Sequence, residues 1–144
     1  MNIYNLLARG SAHAPSDSDR YQDRITKAAE QSRKQWLNAL MTDQTRAWMS
    51  IGERNIEVIT AFAVVLTLAG FVHVYDKRTT DTPELSIIRG AISAAGQCVK
   101  AGGVISLADA RAFSSAAQRA ESIIKSGTVS AIVHACKTMQ ETVK

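Results

Sequence analysis

The spacing of apolar and polar positions divides this chain around its middle. Val58 to Tyr75 reads VITAFAVVLTLAGFVHVY, with no Asp, Glu, Lys or Arg. As a helix rising ~1.5 Å per residue it spans about 27 Å, close to the ~30 Å hydrocarbon core of a bilayer. Charges bracket it: Arg54 and Glu57 precede the run, and Asp76, Lys77 and Arg78 follow it. A helix that is apolar all round is satisfied either by lipid or by burial inside protein. The primary expectation is a single membrane-spanning helix. The alternative is the core helix of a soluble all-helical assembly, because about 18 residues is the short end for a span.

Upstream, Tyr21, Ile25, Ala28, Ala29, Ser32, Trp36, Ala39 and Leu40 recur at steps of three and four. At ~100° per residue they fall within an arc of roughly 120°, the width of a buried stripe. Asp23, Lys27, Glu30, Lys34 and Asn38 lie opposite. This predicts a helix starting near Ser16 or Ser18 that buries one face against a partner helix, from this chain or another copy. The stripe loses register from Met41 to Asn55, where Asp43 is a candidate cap for a fresh helix. Trp48 is expected at the membrane boundary or in a soluble core, and Tyr75 at the opposite boundary. His73, one turn from the end of the run, is expected to reach interfacial water.

Downstream, Thr82-Pro83-Glu84 is a helix start: a capping hydroxyl, a proline pre-set for the first helical position, and an acid at the positive end of the dipole. Leu85, Ile88, Ala91, Ile92, Ala95 and Val99 form its apolar face, and Gly102-Gly103 ends it. Ser106-Leu107-Ala108-Asp109 reads as a capping box with Asp in the usual place of Glu. Phe113, Ala116, Ala117, Ala120, Ile123 and Ile124 follow as a stripe, and Gly127 closes that helix. A last helix carries Val129, Ile132, Val133, Cys136, Met139 and Val143.

The predicted fold class is all-α: a long amino-terminal helix, one central hydrophobic, membrane-spanning helix, and a small carboxy-terminal three-helix bundle. The predicted segments are an irregular arm over 1–15, an amphipathic helical part over 16–57, the hydrophobic helix over 58–75 and the bundle over 82–144. In the arm, Ile3, Tyr4, Leu6 and Leu7 are apolar positions able to dock on a partner or on the rest of the fold. The apolar stretch from Ile3 to Ala8 is too short for the core of a signal peptide.

With 144 residues, 46% hydrophobic and 21% charged, the composition excludes a polytopic membrane protein. The net charge of +4 is scattered. Its densest group (Arg20, Arg24, Lys27, Arg33 and Lys34) is interleaved with Asp19, Asp23 and Glu30, which is the pattern of a solvated helix face, not a nucleic-acid footprint of one sign. Arginines and lysines are too evenly split about the hydrophobic run to orient it.

Catalytic chemistry is sparse. No glycine-rich phosphate loop is present, and His13, His73 and His134 lie in separate segments. Cys98 and Cys136 match no metal spacing. Antiparallel packing of their helices would let them form a disulfide; otherwise they are reduced, buried thiols. No catalytic, cofactor-binding or metal-ligating residue is assigned, and an enzyme is not expected. The expected function is a structural or assembly component, a small single-pass membrane protein of a larger complex such as an accessory, secretion, phage or viral subunit. The alternative is a soluble virion or filament subunit, in which nucleic acid is a possible partner. Protein partners or further copies are expected on the faces carrying Tyr21, Ile25, Trp36 and Leu40, and Leu85, Ile88 and Ile92, together with a lipid bilayer.

Overall fold

The computed structural model describes residues 17–142, so the arm over 1–15, His13 and Val143 lie outside the described residues. Five helices follow in order: α1 (Asp17–Met49), α2 (Ile56–Lys77), α3 (Pro83–Lys100), α4 (Leu107–Ser126) and α5 (Val129–Thr142). The chain is all-α, and no named strand occurs among the described residues.

Local chemistry sets most of the boundaries. Thr82 Oγ1 accepts from the Leu85 N–H at 3.2 Å, with Pro83 in the first turn of α3. Ser106 and Asp109 form the reciprocal capping box, with bonds of 3.0 and 3.1 Å. Asn55, which the sequence did not single out, caps α2 by accepting from the Val58 N–H at 3.2 Å. Gly103 ends the α3 turn with φ +82°, a conformation that favours glycine, and a Cβ there would sit 2.5 Å from Ile56.

Asp43 starts no new helix. Helix α1 runs unbroken from Asp17 to Met49, and Asp43 is buried within it. The first turns of α1 are on the surface: residues 17–24 are all exposed. Tyr21, expected in the stripe, is 59% exposed. Ala29 and Leu40 of that stripe are buried, Ile25, Ser32, Trp36 and Ala39 are half-buried, and Asp43 and Ala47 extend the buried face.

Helix α2 is the axis of the molecule, and α1, α3, α4 and α5 all pack against it. Its buried residues include Val58, Ile59, Phe62, Leu66, Ala69 and Val72, which point to several sides of the helix. Phe62 meets Phe113 of α4 with ring centroids 5.1 Å apart. Around this axis α5 packs on α1, α1 on α4, and α4 on α3.

The three carboxy-terminal helices therefore do not close on one another as a separate bundle. Helix α3 lies against α2 and α4, while α5 lies against α2 and α1. The reason is their alanine-rich faces. Ala110, Ala116, Ala117 and Ala120 of α4, and Ala131 and Ala135 of α5, are fully or almost fully buried. Such short side chains let backbones approach closely but supply little apolar area of their own, so they need the large residues of α2 between them. On α5 this rotates the buried face: Ala131, Ile132 and Ala135 are inside, while Val129, Val133, Cys136 and Met139 are half-buried.

Two loop contacts lock the ends. At one end the α1–α2 and α3–α4 loops pair through an isolated antiparallel bridge between Arg54 and Val104. Gly52 N–H donates to Ile105 O at 2.7 Å, and Asn55 N–H to Gly103 O at 3.0 Å. At the other end Asp76 accepts from both the Thr128 N–H (3.1 Å) and its hydroxyl (2.7 Å), tying α2 to the start of α5.

Candidate functional site

The ring of helices around α2 is incomplete, because α3 and α5 make no substantial contact with each other. One stripe of α2 is left uncovered between them. Thr60, Val64, Thr67, Phe71 and Val74, spaced by four, three, four and three, fall on that side. Thr60 is exposed, Val64 is 44% exposed, and the others are half-buried. A groove of about 460 Å³ runs over part of this stripe.

Its floor is Thr67, Gly70, Phe71 and Val74 of α2. Leu85, Ile88 and Ile92 of α3 form one wall, with Arg89 beside them, and His134 of α5 stands on the other. The Thr67 hydroxyl donates to Ala63 O at 2.7 Å, so the polar group on the floor is already satisfied within its own helix. On the α5 side the rings of Tyr75 and His134 stack at 4.9 Å, and the Arg78 guanidinium lies over Tyr75 at 4.7 Å. Tyr75, expected as an interfacial anchor, is thus one layer of a cation–ring–ring stack.

His73 does not reach water. It is buried, with Nε2 2.8 Å from Thr82 Oγ1. Because that oxygen already accepts from the Leu85 N–H, its own hydrogen is free to be donated to Nε2, which fits a neutral ring. Burial pulls the His73 pKa below its ordinary value, against the opposing charge of Glu84. No carboxylate is hydrogen-bonded to this ring among the described residues, so the pair serves as helix cap and strut, without the third group of a catalytic triad.

A second buried ionisable group lies near the opposite end. The Asp43 carboxyl is pushed above its ordinary range by desolvation, only partly offset by Arg46 at 4.0 Å. Arg33, which the sequence places in a solvated basic cluster, is largely buried instead. It holds Glu30 bidentately at 3.0 and 3.1 Å and donates to the carbonyl oxygens of Ile124 and Lys125 at the end of α4. It satisfies carbonyls that a helix terminus leaves open.

The thiols are not joined. Cys98 is buried, donates to Val104 O at 3.2 Å, and is pushed up by burial and by Asp109. Cys136 faces Ser32 of α1. Their helices lie on either side of the open gap, so the disulfide geometry is never approached. No group of three His, Cys, Asp or Glu among the described residues is placed to hold a metal ion.

Of the residues expected to meet partners, Leu40, Leu85 and Ile88 are consumed by this chain's own core. Ile25, Trp36 and Ile92 are half-buried, and only Tyr21 stays on the surface. Trp48 (40% exposed) and Met49 (77% exposed), at the end of α1, remain open, as do Val104 in the α3–α4 loop and Leu107 at the start of α4. No protein-family model matches the chain, nor does any curated protein or solved structure.

Proposed function

We propose that this chain is a non-enzymatic, all-helical structural or assembly subunit that uses its hydrophobic helix as an internal core. The observation that carries the reading is the position of α2, against which every other described helix packs. A single-pass span would need those contacts replaced by lipid. Here much of the apolar surface of α2 is already removed from water by Phe113, the alanine faces of α4 and α5, and Leu85 and Ile88 of α3, with the stripe through Val64, Phe71 and Val74 left partly open. The caps and loop bridges at both ends hold the surrounding helices in place. The surfaces left for partners are the exposed start of α1 and the exposed apolar end around Trp48 and Met49.

The competing reading, a single-pass membrane subunit, draws on the length and composition of α2, whose 22 residues are enough to cross a bilayer. Fractionation separates the two. The chain is expressed, and membranes are washed with carbonate and then extracted with detergent. Recovery in the aqueous fraction without detergent is expected for the core-helix subunit. Recovery only after detergent extraction overturns that reading in favour of the span. Sedimentation that collapses on nuclease treatment or at high salt would mark the subunit as coat-like, since phosphate contacts are salt-sensitive.

A further inference from the structure

We infer that the groove between α3 and α5 is a binding site for a small amphiphile: one apolar chain ending in a single anionic head group, a carboxylate being the simplest. The inference goes beyond the assembly reading and rests on shape, an apolar lining and charge.

The volume of about 460 Å³ falls within the roughly 300–1,000 Å³ usual for small-molecule sites. The site is short. Its floor on α2 extends only from Thr67 to Val74, about 10 Å at 1.5 Å per residue. That length suits a bent or medium-length hydrocarbon chain. Gly70 lets Leu85 close down on the floor, where a Cβ would rest 3.6 Å from the Leu85 side chain in ordinary contact.

The lining is apolar where a tail would lie. Phe71, Val74, Ile88 and Ile92 offer hydrocarbon, and the Thr67 hydroxyl is occupied by Ala63 O. Covering this surface with an alkyl chain removes both from water, which favours binding.

The rim supplies the charge. Arg89 is exposed at the mouth and makes no ion pair among the described residues. Across the groove stands His134, with Arg78 behind it through the Tyr75 stack. Of the nearby carboxylates, Asp76 is held by Thr128, while Glu84 and Asp81, at the start of α3, form no ion pair with Arg89. A guanidinium free of partners beside an apolar slot complements a carboxylate that can be gripped by two N–H groups while its tail lies in the slot.

The test is a calorimetric titration of the full chain with sodium dodecanoate below its micelle concentration, with dodecanol as the uncharged comparison. Saturable binding near one molecule per chain is expected. R89E, on an exposed position, should leave helical content and melting temperature unchanged and weaken dodecanoate roughly tenfold or more while sparing dodecanol. I92W, which crowds the mouth, should weaken both; if it unfolds the chain, the smaller I92F replaces it. Absence of saturable binding to the wild-type chain overturns the inference. So does dodecanoate binding that R89E leaves unchanged, because the anion would then be bound elsewhere.

Discussion

The two sides of α2 are made of the same kind of residue and have opposite fates. On one side Phe62 stacks on Phe113, and Leu66 and Ala69 are completely buried. On the other, Val64, Phe71 and Val74 are equally apolar yet only partly covered. Hydropathy along α2 does not distinguish them. The difference comes from the neighbours: α4 brings a continuous apolar stripe against the first side, while α3 and α5 stop short of each other over the second. A uniformly apolar helix thus specifies that it will be buried but not from which direction, and the gap falls where its covering helices run out.

The strongest way to break this comparison is truncation on each side. F62A should cost about 3–5 kcal/mol in urea unfolding, because a fully buried ring leaves a cavity. F71A on the open side should cost about 1–2 kcal/mol, as its surroundings can be filled by water. Equal losses would mean that the open stripe is as sealed as the core. Next in size is the close approach of the α4–α5 turn. A Cβ on Gly127 would lie 2.5 Å from Val72 and 3.1 Å from Ile123 O. G127A is therefore expected to destabilise by about 1–3 kcal/mol, and adding V72A should restore part of that loss. If the two substitutions simply add, the contact is not as close as described. T82A removes both the α3 cap and the partner of His73, and should lower stability by about 1–2 kcal/mol in the same assay.

The smallest effects are those of pH, and the two buried ionisable groups have opposite signs. The His73 pKa is lowered by folding, so its contribution is complete above the ordinary histidine value of 6.5 and is lost as pH falls below it. The Asp43 pKa is raised, so stability is greatest below the ordinary aspartate value of 3.8 and declines as pH rises through the folded value. D43N should accordingly raise the neutral-pH melting temperature and give no gain in strong acid. A melting temperature for D43N below wild type at neutral pH would show that the carboxylate has a stabilising partner.

Features written in short stretches were legible in the sequence. Thr82-Pro83 and Ser106 to Asp109 act as the caps their residues announced, Gly102-Gly103 ends α3, and the stripe from Phe113 to Ile124 is buried throughout. The continuity of α1 was obscured because Asp43 looks like a cap. It becomes a buried helical residue only because α1 meets the rest of the fold there. Arg33 looked like one more solvated base. Its role depends on the end of α4, more than ninety positions away in the chain. The buried face of α5 was misjudged because periodicity favours large residues, whereas alanines make the closest approach to α2. The groove had one local trace: Thr60 and Thr67, the hydroxyls inside the hydrophobic run, both lie on its open stripe.

By itself the sequence determined that the described chain is helical, where most helices begin and end, and that one segment must escape water on nearly every side. Those properties follow from caps, glycines and apolar spacing, which act within a few residues. Tertiary structure alone decided that four helices pack against this segment, that the carboxy-terminal helices lie on it more than on one another, and that a slot stays open beside Arg89. These outcomes depend on how faces from distant parts of the chain fit together, and packing of that kind leaves no short-range signature.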